Sequence, residues 1–144
     1  MALGRMLADP TGALTRLREA ARDYPPALRD RVVTTSLWEA DFALAVAREG
    51  AGRGDTTCVA GCLFRVVGLC AHAVHAHAGA WLINEKGAVD AAAALSGAPL
   101  DFAEAAHGVL ACLGRSVIDL EAALRTAGLL VEAVAATCGV DRRK

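Results

Sequence analysis

Apolar positions recur at three- and four-residue steps along most of the chain, and no segment alternates with the two-residue period of a strand. Asp9-Pro10-Thr11-Gly12 is a turn signal, after which Leu14 and Leu17 mark one face of a helix over 13–22. Tyr24-Pro25-Pro26 stops that helix, and Pro26 suits the first turn of the next. A second helix over 27–49 aligns Leu28, Val32, Thr35, Trp38, Phe42 and Val46 in one apolar stripe, the face expected to meet the core. Residues 50–54 read as a glycine-rich loop, and Asp55 as the N-cap of a third helix running from Thr56 to about Leu82. That helix is apolar or small on nearly every side, as a helix surrounded by others should be. Gly61 and Gly68 share one of its faces, and each costs about 1 kcal/mol against alanine unless a close neighbour or a ligand offsets it. After a break at 84–87, the pattern predicts helices over 88–95, 101–113 and 117–137, the last capped by Ser116 and ended by Gly139. Short connections between long helices imply antiparallel neighbours. The expectation is an all-α fold, an antiparallel up-and-down bundle of five or six helices over 13–139, followed by a basic tail at 140–144.

Composition sharpens this picture. The 144 residues are 55% hydrophobic, enough to bury a core in one domain, yet only 4% aromatic. The core must therefore be built from Leu, Val and Ala, and the abundant alanine lets helices approach closely. The formal net charge of −1 and the lack of any basic stripe argue against a protein devoted to phosphate backbones, so a nucleic-acid partner is not expected. Five cysteines, none in a CxxC pair, read as free thiols of a cytoplasmic protein. The uncharged run from Val66 to Asn84 is long enough for a membrane span, but its glycines and His72, His75 and His77 argue against one.

Three groups of residues could carry chemistry. Trp38 lies on the second helix's stripe and Glu39 at its edge, with Asp41 nearby; a carboxylate bordering a core can be desolvated toward the range of a general base. A solvated Glu beside a buried Trp is the plainer alternative. Asn84-Glu85-Lys86 stands where the bundle opens to solvent, and Lys86 could meet an anion there, although ordinary loop chemistry explains the trio as well. Cys58, Cys62, Arg65 and His72 follow one face of the third helix. No second Cys or His pair stands at a motif distance, so no metal site is expected. Arg65 inside an apolar run needs a partner; it is expected to be partly buried and to pair with a carboxylate of the second helix, such as Glu39 or Asp41. No phosphate loop, GxSxG or Asp-x-Asp pair is present.

Three stretches resemble the C-terminal part of nucleotidyltransferase-domain proteins related to the aminoglycoside nucleotidyltransferases: 7–12 (Leu7 to Gly12), 36–40 (Ser36-Leu37-Trp38-Glu39-Ala40) and the long block from Arg53 through Cys62-Leu63-Phe64-Arg65 to Leu82-Ile83-Asn84-Glu85-Lys86-Gly87-Ala88. The resemblance covers nearly the whole chain from Leu7. It implies a helical substrate-binding domain that partners an α/β catalytic domain, in cis or in trans, with residues 1–12 as the linker to it. That other domain would carry a Gly-Ser motif and an Asp-x-Asp pair for ATP and Mg²⁺. Neither motif stands in this chain, so no cofactor is expected on it alone, nor any transfer. The resemblance further implies that Glu39 is the base activating a small-molecule acceptor, that Lys86 lies near the phosphates, that Asn84 and Glu85 line the same cleft, and that Trp38, Asp41 and Arg65 belong to the binding surface. A homodimer is a further possibility if the partner's face is left open.

A second resemblance is to HEPN domains, helical proteins that include metal-independent RNases with an Arg and a His four to six residues apart. Arg65 and His72 have six residues between them. A His base beside an Arg that stabilises phosphorane charge would suit RNA cleavage. The two readings place different demands on His72: packed in a substrate domain, open to solvent beside Arg65 in an RNase.

Overall fold

The computed structural model describes residues 5–141, and among them it contains six helices and no strand. They are α1 (Ala13–Ala20), α2 (Pro26–Gly52), α3 (Thr56–His77), α4 (Ala88–Ala93), α5 (Phe102–Ala111) and α6 (Val117–Thr137). The all-α bundle expected from the periodicity is what the chain forms. The Arg142-Arg143-Lys144 end of the basic tail and the first four residues of the linker lie outside the described residues.

α3 is the hub, packed against α2, α4, α5 and α6. Its Val59, Leu63, Val66 and Val74 are shut off from solvent, together with Leu44 of α2, Phe102 of α5 and Leu120 and Val131 of α6. By length and composition α3 could also cross a membrane; its apolar residues form the centre of the core instead. α1 buries nothing and packs on no other helix. The chain around it is fastened at one point, where the Trp81 indole N–H donates to the Ala21 carbonyl at 3.0 Å and its ring meets that of Tyr24 at 4.4 Å.

α2 corrects the expected orientation. Its buried residues are Val33, Ser36, Leu37, Ala40, Ala43, Leu44, Ala47 and Ala51. The stripe of larger residues faces outward: Trp38 is 67% exposed and Phe42 61%, and Leu28 and Val46 are also exposed. α2 thus has two apolar faces, and the small one was chosen for the core because alanines let α3 approach closely. Gly50, read as the start of a loop, is the tightest point of that approach. It is a buried helical residue, and a Cβ there would stand 3.1 Å from the Cys58 sulfur.

α3 is five residues shorter than its apolar run. Gly79 adopts φ +68° and donates to the Ala76 carbonyl while Ala80 donates to that of His75, a Schellman closure that needs the left-handed conformation. Trp81 and Leu82, which extend the apolar pattern, pack in the connection. At the start of α6 the Ser116 hydroxyl accepts from the Asp119 N–H at 3.1 Å while the Asp119 carboxylate accepts from the Ser116 N–H at 3.2 Å, a capping box. The Ser116 hydroxyl, 2.6 Å from that carboxylate, and then the Ser116 N–H hold the carboxyl below its ordinary value.

The imidazole of His75 is buried with the core, at 6% exposure. Its Nε2 lies 3.4 Å from the Ala88 carbonyl, which can only accept, so the neutral ring carries its proton there and Nδ1 is buried with no partner. Burial pushes this imidazole below its ordinary 6.5, against a smaller opposing effect of the Ala88 carbonyl, and His72 nearby depresses it further. The unfolded chain therefore takes up this proton first as pH falls, and stability should decline below about pH 6.5. Urea midpoints at about pH 7.5 and 5.5 check this: the fall should be smaller in His75→Leu than in the native chain, and equal falls would show that His75 is not the group responsible. In the same assay Leu63→Ala should cost about 2–5 kcal/mol through the cavity it leaves, and Gly79→Ala about 1–2 kcal/mol through its backbone strain.

Candidate functional site

One face of α3 forms a wall of an open groove of about 610 Å³. Gly61 and Gly68 lie along it, and a Cβ at either would meet nothing within 4 Å. The two glycines therefore leave space and do not seat a neighbouring helix. Phe64 and Leu69 of α3, Leu82 and Val89 across from them, and Leu110 of α5 give the groove an apolar lining.

Its polar groups arrive from three elements. Arg65 and His72, two turns apart on α3, both line it and both are exposed. Glu85 lines it from the connection after α3, and His107 from α5. The Arg65 guanidinium donates to the Glu39 carboxylate of α2 at 2.5 Å, and His107 Nε2 lies 3.2 Å from Asp90 Oδ1 of α4.

The structure thus joins Arg65, Glu39, Glu85 and His72 around one feature. Arg65 has its expected α2 partner, but its side chain is 62% exposed and not buried, because α3 turns this face to the groove. His72 is likewise exposed and not packed. Trp38 points outward from α2 and lies apart from the lining, as does half-buried Asp41. Asn84 Oδ1 accepts from the Lys86 N–H at 2.9 Å and so shapes the turn at 84–87; neither residue lines the groove. His107 and Asp90 escaped the sequence reading, since nothing in their spacing signals that α4 and α5 bring them to one rim.

The thiols are quiet. Burial raises Cys62, with Cys58 one turn away adding to the effect, and burial pushes Cys138 up to about 11, so both are thiols at neutral pH. No group of three or more His, Cys, Asp or Glu side chains stands close enough to hold a metal ion among the described residues.

Comparisons of the chain with protein-family models, with curated proteins and with solved structures return no match.

Because both partners reach solvent, the Arg65–Glu39 pair should add only about 0.2–1 kcal/mol to stability. Arg65→Met is expected to shift the melting temperature slightly, and the shift should shrink at high salt. A large, salt-independent loss would mean the pair is sequestered from water.

Proposed function

We propose that the chain is the acceptor-binding helical unit of a small-molecule nucleotidyltransferase of the kind its sequence resembles, with the α3 groove as the acceptor site. The observation that carries this reading is the groove's chemistry. An apolar floor left open by Gly61 and Gly68 is lined by the polar groups Arg65, His72, Glu85 and His107, of which Arg65 is held by Glu39 and His107 by Asp90 from outside the lining. Glu85 is the carboxylate in the lining, and Glu39 and Asp90 offset Arg65 and His107, a balance that suits a hydroxylated polyamine, such as an aminoglycoside, better than an anion. Apolar stacking surface and a few convergent polar groups are what a small-ligand site requires. Glu39 is the candidate base: exchanging its bond to Arg65 for one to an acceptor hydroxyl would orient that oxygen and take its proton. Trp38, Asp41 and Asn84 lie outside the groove lining and serve this reading only as its surroundings. ATP and Mg²⁺ come with a catalytic domain in cis or in trans, whose triphosphate Lys86 would approach from the turn at 84–87.

Titration of the isolated chain with an aminoglycoside panel, followed by NMR or calorimetry, tests this. Binding should be weakened about tenfold or more by combining Glu39→Gln with Glu85→Gln, by analogy with buried charge pairs at interfaces, and lost in Gly68→Trp, which fills the groove. With ATP and Mg²⁺ added, mass spectrometry should find no adduct. Shifts confined to residues away from α3 would sink the reading.

A second reading rests on the exposure of His72. Arg65 and His72 share the groove and both meet solvent, the arrangement a HEPN-type, metal-independent RNase needs. Glu85 in the lining, which repels phosphates, and the engagement of Arg65 by Glu39 favour the first reading. Incubation with a mixed tRNA pool in EDTA separates them: cleavage that disappears in both Arg65→Ala and His72→Ala would establish the nuclease.

A further inference from the structure

The outer face of α2 is apolar in the middle and charged at its ends. Trp38 and Phe42 stack at 5.9 Å between ring centroids, with planes within 7°, and both are mostly exposed. They lie opposite the buried line of Val33, Ala40 and Ala47, and no other helix covers them: α2 packs only on α3 and α6. Along the same face, at seven-residue steps from this pair, stand Arg31 toward one end and Glu49 toward the other, both exposed. An exposed aromatic stack is costly to leave in water and is the residue class that dominates interface energies.

We propose that two copies of the chain associate through this face as an antiparallel α2–α2 dimer, a reading independent of the groove's function. The charge order selects the occupant. In a two-fold antiparallel pair, a residue of one copy faces the residue of the other whose distance from the axis is equal and opposite. An axis passing at Ala40 sets Trp38 against Phe42 of the second copy twice, forming one cluster of four rings. The same axis sets Arg31 against Glu49 twice, at the two ends of a contact about 27 Å long. A parallel pair would instead set Arg31 against Arg31 and Glu49 against Glu49. Leu28 and Val46 flank the ring cluster and extend the apolar contact on one side. Glu49 also stands 3.7 Å from Arg53 on its own helix; both are exposed, and that pair is weak enough to be exchanged.

Sedimentation equilibrium of the full chain tests the assignment. The native protein should dimerise, and Trp38→Ala should dissociate it. Arg31→Glu and Glu49→Arg should each weaken self-association about tenfold or more, since each places like charges together at both ends. Mixing these two single variants should restore a dimer, now between unlike chains, because every end contact then joins opposite charges. The double variant Arg31→Glu/Glu49→Arg should self-associate like the native chain. Circular dichroism confirms that each variant keeps its helices. A native chain that stays monomeric to about millimolar concentration, where even weak specific pairs form, overturns the proposal. So does a dimer indifferent to the charge reversals, which would mean another face or another occupant is used.

Discussion

Everything in this fold depends on how closely α3 can approach α2. The buried side of α2 combines Ala40, Ala43, Ala47, Gly50 and Ala51 with Val33, Leu37 and Leu44, and at Gly50 a single added carbon would crowd Cys58 and Val59 of α3. Close approach gives dispersion contacts along two long helices, and it also sets the directions of the faces left over. With the alanine-bearing side of α2 turned inward, Trp38 and Phe42 on its other side point outward. Once α3 meets α2 and α6 with its bulky residues, its glycines are left to line a groove.

That choice is also what the sequence concealed. A helix carrying two apolar stripes has no single hydrophobic direction, so periodicity alone cannot say which stripe is inside. Size decides it. Leu28, Trp38 and Phe42 outweigh Ala40, Ala43 and Ala47 in hydrophobicity, yet burying them would hold α2 away from α3 and forfeit the contacts of a fully apolar central helix. The number and order of the helices were legible, because turns and caps punctuate them: Pro25-Pro26, Asp55 and Ser116 each act where their chemistry says they should. The end of α3 was less so. Gly79 terminates it by a backbone closure, while the apolar residues beyond keep the helical pattern running for another purpose, anchoring Trp81 to the chain ahead of α2.

The groove was legible in part for the same reason. Arg65 needed a carboxylate and Glu39 supplied it, since residues that face one another across a helical hairpin can be paired from periodicity once the hairpin is recognised. The depth of that pair is not legible in the sequence, because the apolar composition of α3 hides the open side that Gly61 and Gly68 create. Asn84 and Lys86 formed a turn and did not converge on the site: an Asn followed two residues later by a free N–H satisfies that N–H locally before it reaches anything distant. Asp90 and His107 met across two short helices whose relative placement no local rule encodes.

The buried histidine connects these levels. His75 is on the core side of α3, and its Nε2–H points to the carbonyl of Ala88, which opens α4 and also lines the groove. α4 has six residues, and only Ala88 and Ala92 of them are buried, so few apolar contacts hold it in place. A polar contact from the core to its first residue therefore counts for more than the same contact would in a long helix. The neutral ring suits this position: it gives the carbonyl its donor while the surrounding valines and alanines disfavour a charge. The unpartnered Nδ1 is the cost of placing a polar anchor there, and a methionine or leucine of similar volume would remove that cost but leave the Ala88 carbonyl without its donor. The wall of the groove is thus positioned from behind, by a core residue that does not line the groove.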